Sequence, residues 1–431
     1  MARKMKDSGI EWIGEIPEGW EIRKIKNNFM IYAGATPKSE KAEYWDGGIP
    51  WITPADFKTT DKYVSYGRKS LTALGYDSCG TTLVPAGSII FSKRAPVGSV
   101  VIAKNTLCTN QGCLACIPND AVNSTYFYYC MSIFTEQFEL VSAGTTFKEI
   151  AASTFASFLL PCPPLSQQNE IVNFLDKESS RIDSMLSKTR SSIEEYKKLK
   201  QAVITQAVTK GVHGKREMKD SGVEWIGEIP KEWVQTKVKM VASFFNGDRT
   251  SRYPQPTDFV DNGIAFLTSR NIDGDEVDLS EVKYITESKY NSLSGAKIQI
   301  NDIVFCLRGS VGKCAINQTL SCGTVASSLA TIRPNRVHPK YLLYFLLSDI
   351  ASTQTAVFMN GTCAANLSAE NVANYYITLP ISAEQKEIAD YLSAKCAEID
   401  GLVAKKEQLV KELESYKKSL IYEVVTGKRE V

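Results

Sequence analysis

The sequence predicts an α+β protein. Two globular domains of mixed strands and helices are separated by two long antiparallel coiled-coil helices, with internal pseudo-twofold symmetry. Three observations predict this. The chain repeats its own text, each repeat closes on a long stripe of apolar residues at helical spacing, and the text before each stripe is punctuated like strands. Residues 5–20, "MKDSGIEWIGEIPEGW", return at 218–233 as "MKDSGVEWIGEIPKEW", identical at 13 of 16 positions.

The elements follow in order. Residues 1–163 form a first globular domain, with strand-like runs such as "AGSIIFSKRAPVGSVVIA" and a helical patch in "STYFYYCMSIFTEQFELV". Pro161, Pro163 and Pro164 end it. A first long helix is expected over 164–213. Its stripe is Ile171, Leu175, Ile182, Leu186, Ile193, Tyr196, Val203 and Ala207. A second domain follows over 214–380. It repeats "FSKRAPVGSV" (91–100) as "FCLRGSVGKC" (305–314) and closes at Pro380. A second helix is expected over 381–431, with the stripe Ile388, Leu392, Ile399, Leu402, Leu409, Leu413, Tyr416 and Leu420.

Narrow stripes with polar flanks suit a coiled-coil seam. Ser382 and Gln385 have the spacing of a capping box at the second start. Thr209–Lys210–Gly211 and Thr426–Gly427 read as stop signals. Neither helix can bury its stripe alone. The equal lengths favour pairing within the chain; pairing between two chains is the alternative. "GKREM" (214–218) returns as "GKREV" (427–431), so in a pseudo-twofold arrangement Val431 is expected near Met1.

Composition bounds the function. Hydrophobic content is 43% and charged content 23%, as in an ordinary globular protein. No apolar run reaches the roughly 18 residues of a membrane span. "MARKMKDSGIEW" has no signal-peptide core, and a cytoplasmic location is expected. The 11 cysteines sit singly in apolar or small-residue text, which suits reduced thiols. Cys113 and Cys116 form a C-x-x-C pair. With only His213 and His338 to join them, they read as core residues of a strand rather than zinc ligands. Net charge is +2, so a nucleic-acid surface has to be a local patch.

Catalytic constellations are missing from the text. There is no G-x-G-x-x-G, H-E-x-x-H or G-x-S-x-G. "RGSVGKC" (308–314) lacks the first glycine and the hydroxyl residue of a phosphate loop, and its counterpart "RAPVGSV" lacks the lysine. Neither histidine recurs in the other copy. No Asn/Asp-Pro-Pro-aromatic motif is present to hold a base for methylation. The chain reads as a binder.

Two domains, each led in by "SGxEWIGEIPxxW" and followed by a "P-x-S-x-Q-x-E-I…L" helix, resemble the specificity subunit of type I restriction–modification enzymes. "GATPKSEKAEYWDGGIPWITPADF" (34–57), "GTTFKEI" (144–150), "AVTKG" and "VVTGK" carry the same resemblance. It spans essentially the whole chain. It implies a non-catalytic subunit that reads a two-part, asymmetric double-stranded DNA target, one part per target-recognition domain. It also implies two modification subunits that methylate adenine, and restriction subunits that translocate. S-adenosylmethionine, ATP and Mg belong to those partners; this chain holds no cofactor or metal. Half-sites about one helical turn apart, roughly 34–36 Å, lie on one face of DNA. An added helical turn, about 5.4 Å, is expected to widen the spacer.

Cations and hydroxyls near turns are the candidate DNA contacts. In the first domain these are Thr36, Lys38, Thr53, Lys93, Arg94, Thr145, Thr146 and Lys148; in the second, Arg249, Arg252, Ser269, Arg270, Arg308, Lys313 and Thr362. Arg94 and Arg308 sit at equivalent positions beside turn glycines, where each anchors phosphate or makes a structural hydrogen bond. The alternative for any of these cations is a solvated surface side chain. Lead-in residues Trp12, Ile13, Trp20, Trp225, Ile226 and Trp233 either pack the core or seat the modification subunits. Lys177, Arg181 and Lys188 mark outer helix faces for partners or DNA. The rival function is a two-domain protein-interaction scaffold without DNA specificity.

Overall fold

The computed structural model describes residues 3–57, 61–94, 96–143, 148–359 and 366–431. It divides into two compact units: Met1–Thr189 with Leu409–Val431, and Arg190–Gln408. Each unit thus holds one globular domain and part of each long helix. This partition differs from the four successive segments that the text suggests.

In the first unit a five-stranded sheet runs in the order Phe29–Ala33, Cys113–Pro118, Ile89–Ser92, Val100–Ala103, Tyr63–Val64. Its central strand, "IIFS", is buried throughout because both faces are covered. Ile89 and Phe91 face one cluster, with Tyr126, Phe127 and Phe138, while Ile90 faces another, with Val101 and Ala103. That is the two-residue period of a strand. Cys113 and Cys116, three apart in the neighbouring strand, point to opposite clusters, and burial pushes both thiols up. Helix Ser124–Ile133 covers one face. The Asn123 side chain starts it by accepting from Thr125 N (2.9 Å) and Tyr126 N (3.3 Å). A smaller sheet sets Cys108–Thr109 parallel to Trp45–Ile52 and that strand antiparallel to Lys69–Leu71.

The second unit repeats the plan. Its main sheet runs Ala242–Asn246, Leu329–Pro334, Ile303–Cys306, Cys314–Ile316. Ile303 and Phe305 face one cluster, Val304 and Cys306 the other. Its smaller sheet sets Gly323–Val325 parallel to Ile264–Leu267. No single helix among the described residues is long and apolar enough to cross a membrane.

The long helices are Leu165–Lys210 and Ser382–Val425. Within the second unit Tyr196 lies under the Lys406 ammonium (5.6 Å to the ring) and Lys200 reaches Asp400 (2.7 Å), so the segments run antiparallel. Within the first unit Lys417 reaches Asp183 (2.6 Å). This is the same bond in the other copy, since Lys417 and Asp400 each lie 217 positions beyond Lys200 and Asp183.

Two details of the expected helices are corrected. Ile171, Leu175, Ile182, Leu186, Ile193, Ile388, Leu392, Ile399 and Leu420 are buried, and Tyr196, Val203, Leu402 and Leu413 are half-buried, but Leu409 and Tyr416 are 42% and 48% exposed. The covered line of the second helix passes one residue later, through Val403, Lys406, Val410, Leu413, Lys417 and Leu420. Two of those positions are lysines, whose stems cover apolar surface while their ammonium groups find an aromatic ring or an aspartate. The capping box also fails. Ser382 is already the first helical residue. The Gln385 side chain instead donates to Pro380 O (2.8 Å) and accepts from His338 N (2.8 Å).

That glutamine is one of a set of paired clasps at the ends of the helices. Gln168 does the same work in the first unit, donating to Pro163 O (2.9 Å) and accepting from Asn123 N (2.8 Å). Trp20 Nε1 donates to Gln167 (2.7 Å), and Trp233 Nε1 donates to Glu384 (2.9 Å). Both indoles are buried, so each N–H needs such a partner. Arg3 and Arg216 donate to the same two acceptors. Gly211 and Gly427 end the helices with φ +79° and +73°, the left-handed region open to glycine. A Cβ on Gly427 would meet Pro17 Cδ at 2.4 Å. Met1 lies outside the described residues, but Arg3, Met5 and Glu15 line one cavity with Gly427, Lys428 and Glu430. Arg3 therefore takes the place beside Trp20 that Arg216 takes beside Trp233.

Candidate nucleic-acid interface

At one end of the first domain three segments meet a single tight turn, Thr109–Gly112. The parallel pair Thr109↔Ile52 ends there, and Asn110 N donates to Ile52 O (2.9 Å). From one side Ala35 N donates to Thr109 O (3.0 Å); from another Lys93 N donates to Gly112 O (2.9 Å). Gly34 permits the first approach, since a Cβ there would lie 2.2 Å from Asn110 O. The Thr36 hydroxyl donates to the Gln111 side-chain carbonyl oxygen. So Thr36, Thr53, Lys93 and Arg94 are gathered around one turn, from sequence positions that span almost sixty residues.

The second domain builds the same junction from different residues. Its turn is Val325–Ser328. Ala326 N donates to Leu267 O (2.8 Å), Leu307 N to Ser328 O (2.9 Å), and Arg249 Nε to Ser327 O (3.3 Å). Gly247 permits the approach, since its Cβ would lie 2.1 Å from Ala326 O. This gathers Arg249, Arg308, Ser269 and Arg270.

The side chains at these junctions are already engaged to different degrees. Lys93 (2.8 Å) and Arg94 (2.9 Å) both pair with Glu149. The hydrogen bond from Lys93, helped by that from Arg94, outweighs desolvation and holds the Glu149 carboxyl below its ordinary range. Arg94 also forms a backbone bridge to Glu149; in the second domain Arg308 bridges Asn366, a neutral residue. Lys93's counterpart there is Leu307, which is buried. The first junction thus carries a carboxylate that the second lacks.

Other candidates stand as follows. Thr53 is half-buried, and its hydroxyl donates to Asp56 (2.7 Å) as the cap of a short turn. Ser269 opens the equivalent turn, capped by Thr268, with Arg270 exposed on it. Lys38 and Lys148 are exposed. Arg252 is exposed on the loop that follows Asp248, and Lys313 pairs with Asp273 (3.6 Å). Thr145, Thr146 and Thr362 lie outside the described residues.

Reading by residue type missed Asn110, Gln111, Glu149, Asp248 and Ser327. Asp248 is buried and takes four hydrogen bonds, from Thr250 N (2.7 Å), Thr250 Oγ1 (2.6 Å), Ser294 N (2.8 Å) and Ser294 Oγ (3.1 Å). Burial alone would push its pKa up; the bonds from Thr250 and Ser294 outweigh that and hold it well below the carboxylate range. The available signal was the Gly34/Gly247 pair, which marks the crossing point in both copies. Among the described residues no group of three or more His, Cys, Asp or Glu side chains is arranged to hold a metal.

Known proteins share this architecture. The family model for the type I restriction modification DNA specificity domain matches residues 17–195 and 230–412. The MjaIX type I restriction enzyme specificity subunit of Methanocaldococcus jannaschii is 29% identical over 374 residues, covering 85% of this chain and 84% of that one. The EcoBI specificity subunit of Escherichia coli is 23% identical over 411 residues, covering 93% and 84%. Among solved structures, a chain from work on the assembly and conformational transition of the type I R-M system superposes with TM-score 0.76 at 15% identity, over 96% of this chain and 99% of that one. The HsdS subunit from Thermoanaerobacter tengcongensis gives TM-score 0.52 at 15% identity, over 96% and 98%. At such identities the structures speak for the fold.

Proposed function

We propose that this chain, which belongs to the family of type I restriction–modification DNA specificity domains, reads an asymmetric two-part DNA target, one part with each of its two domains. It is the DNA sequence-recognition subunit of a restriction–modification complex, and it is not an enzyme. Methylation and cleavage belong to other subunits.

One observation carries the two-part reading. The same junction of three segments and a turn occurs once in each unit, with unlike side chains: Asn110–Gln111 against Ala326–Ser327, Thr36 against Arg249, Glu149 against Asn366. A repeated backbone site with unlike side chains suits two different half-sites, because base edges are told apart by which donors and acceptors meet them. The cations that flank each turn suit phosphate anchoring. The partners in this reading are double-stranded DNA, two adenine-methylating modification subunits and the restriction subunits. S-adenosylmethionine, ATP and Mg are held by those partners, and the complex works in the cytoplasm.

The test is exchange of the first recognition domain for that of another specificity subunit, within the complete complex, followed by sequencing of methylated adenines in the host. One half of the motif should change and the other persist. A change in both halves would sink the one-domain-per-half-site reading.

A further inference from the structure

We propose that Gln111 is the side chain with which the first domain reads a base edge, and that Thr36 fixes which way its amide faces. The inference rests on the DNA-reading function above and names one residue that performs it.

The backbone of the turn leaves a single side chain for the task. Thr109 is buried, and its carbonyl accepts from Ala35 N and from the Thr81 hydroxyl (2.8 Å). The Asn110 side chain accepts from Gly112 N (2.9 Å) inside the turn. Gly112 is buried against Pro54, where a Cβ would come within 3.1 Å of Pro54 Cγ. Gln111 alone is exposed. It stands at the apex of a turn tied on three sides by backbone hydrogen bonds, so its position is set before any ligand arrives. A group held this way loses little freedom on binding.

The chemistry of the outward group follows from Thr36. Its hydroxyl occupies the Gln111 carbonyl oxygen, which leaves the amide NH2, with two donors, toward solvent. Two donors fit the acceptors of the major-groove edge: purine N7, guanine O6 or thymine O4. They do not fit the amino group of cytosine. The flanking Lys93 and Arg94 are held by Glu149 (2.8 and 2.9 Å) and reach an adjacent phosphate only in competition with it. In the second domain, Arg249 stands where Thr36 does and Ser327 where Gln111 does, so the same site there presents a guanidinium instead of an amide.

The experiment uses the complete complex carrying Gln111→Ala, Gln111→Glu or Thr36→Val, with methylated-adenine sequencing and binding to duplexes varied at one position at a time. Gln111→Ala should relax a single position in one half of the motif, with about tenfold loss of discrimination, and leave the other half unchanged. Gln111→Glu keeps the size but removes both donors, and should move the preference at that same position toward a base with an amino group. Thr36→Val frees the amide to turn over and should relax the same position to a smaller extent. The proposal falls if both Gln111 variants leave every position intact, or if they weaken binding evenly at all sequences, as loss of a phosphate contact would. If a domain exchange changes one half-motif while the Gln111 variants change nothing, this inference alone fails. If the host's motifs do not depend on this chain at all, the DNA-reading function fails with it.

Discussion

Replacing Asp248 with Asn isolates one electrostatic device under the second junction. The carboxylate holds Thr250 through one oxygen and Ser294 through the other, at 2.6–3.1 Å. An asparagine keeps one oxygen, so its NH2 must face one backbone N–H and a hydroxyl that has to turn and accept from it. Hydrogen bonds to a charged group are worth about 1.5–3 kcal/mol each. Thr250 and Ser294 are themselves exposed, so water recovers part of the loss, and about 2–3 kcal/mol of local stability should go. Since the folded pKa of Asp248 is depressed, its contribution is complete above the unfolded carboxylate range, near pH 4, and is lost as pH falls through the folded value. The wild-type advantage over Asp248→Asn should therefore shrink in acid. Hydrogen exchange at the amides of Thr250 and Ser294 measures this directly. Protection should fall roughly 30- to 150-fold at neutral pH and by less near pH 3. In the full complex, only the second half-motif should weaken, because the affected loop carries Arg249 and Arg252. Equal loss of protection at both pH values, or a change confined to the first half-motif, would refute the reasoning.

Two further outcomes are expected. Tyr126 OH sits between two carbonyls that share its single proton, Pro161 O (3.2 Å) and Val425 O (3.0 Å), as Tyr341 OH sits between Thr378 O (3.0 Å) and Val208 O (3.3 Å). In the second unit Thr378 Oγ1 also donates to Val208 O, so Tyr341→Phe leaves that helix-end carbonyl satisfied. Tyr126→Phe does not, and should cost about 1–3 kcal/mol against about 0.5–1.5 for Tyr341→Phe; hydrogen exchange over 422–427 and 205–211 would show the difference, and a larger effect in the second unit would contradict it. Glu149→Gln should release Lys93 and Arg94 to phosphate, raising affinity at low salt and steepening the log–log salt slope by about one; unchanged titrations would remove Glu149 as their competitor.

What was legible in the sequence follows from what kind of signal each feature leaves. The duplication left repeated words, and the helix ends left glycines at left-handed positions. The seam of the second helix was misread at Leu409 and Tyr416 because two covered positions hold Lys406 and Lys417, and a pattern of apolar residues slides past a lysine. The capping box was misread because Ser382 falls inside the helix, one residue too late to cap it. Thr53 has the look of a base-reading hydroxyl, yet Asp56 three residues later already marked it as a turn cap. The reading turn was invisible for a deeper reason. Asn110–Gln111 and Ala326–Ser327 share no residue type; what they share is which backbone amides they meet.

The clasp between each domain and its helices adds a constraint on exchanging the domains. Ile102 N donates to Lys62 O and Ile316 N to Asp275 O, both at 2.9 Å, so Lys62 and Asp275 occupy one position in the two copies. Each turns its side chain to a long helix, with opposite charge. Lys62 pairs with Asp176 (2.6 Å), which also accepts from Tyr129 OH (2.6 Å). Asp275 faces Lys200 (3.7 Å), and its desolvation, opposed by the charge of Lys200, leaves its carboxyl raised. In the 217-residue repeat Lys200 recurs as Lys417 and Asp176 as Ser393. Asp275 in the first setting would therefore find Lys417 but also the carboxylate of Asp176, and Lys62 in the second would find Ser393 where Asp176 stood, with Lys200 and Asp400 beside it. Each exchange adds a like charge, Asp176 beside Asp275 or Lys200 beside Lys62, to a partly buried site, and that repulsion weakens the pairing. A recognition domain should therefore fit best when the cut leaves the 61–64 or 274–277 segment with the helix it already meets, and the Lys200–Asp400 and Lys417–Asp183 bonds, identical in kind, keep an opposite charge near either segment after exchange.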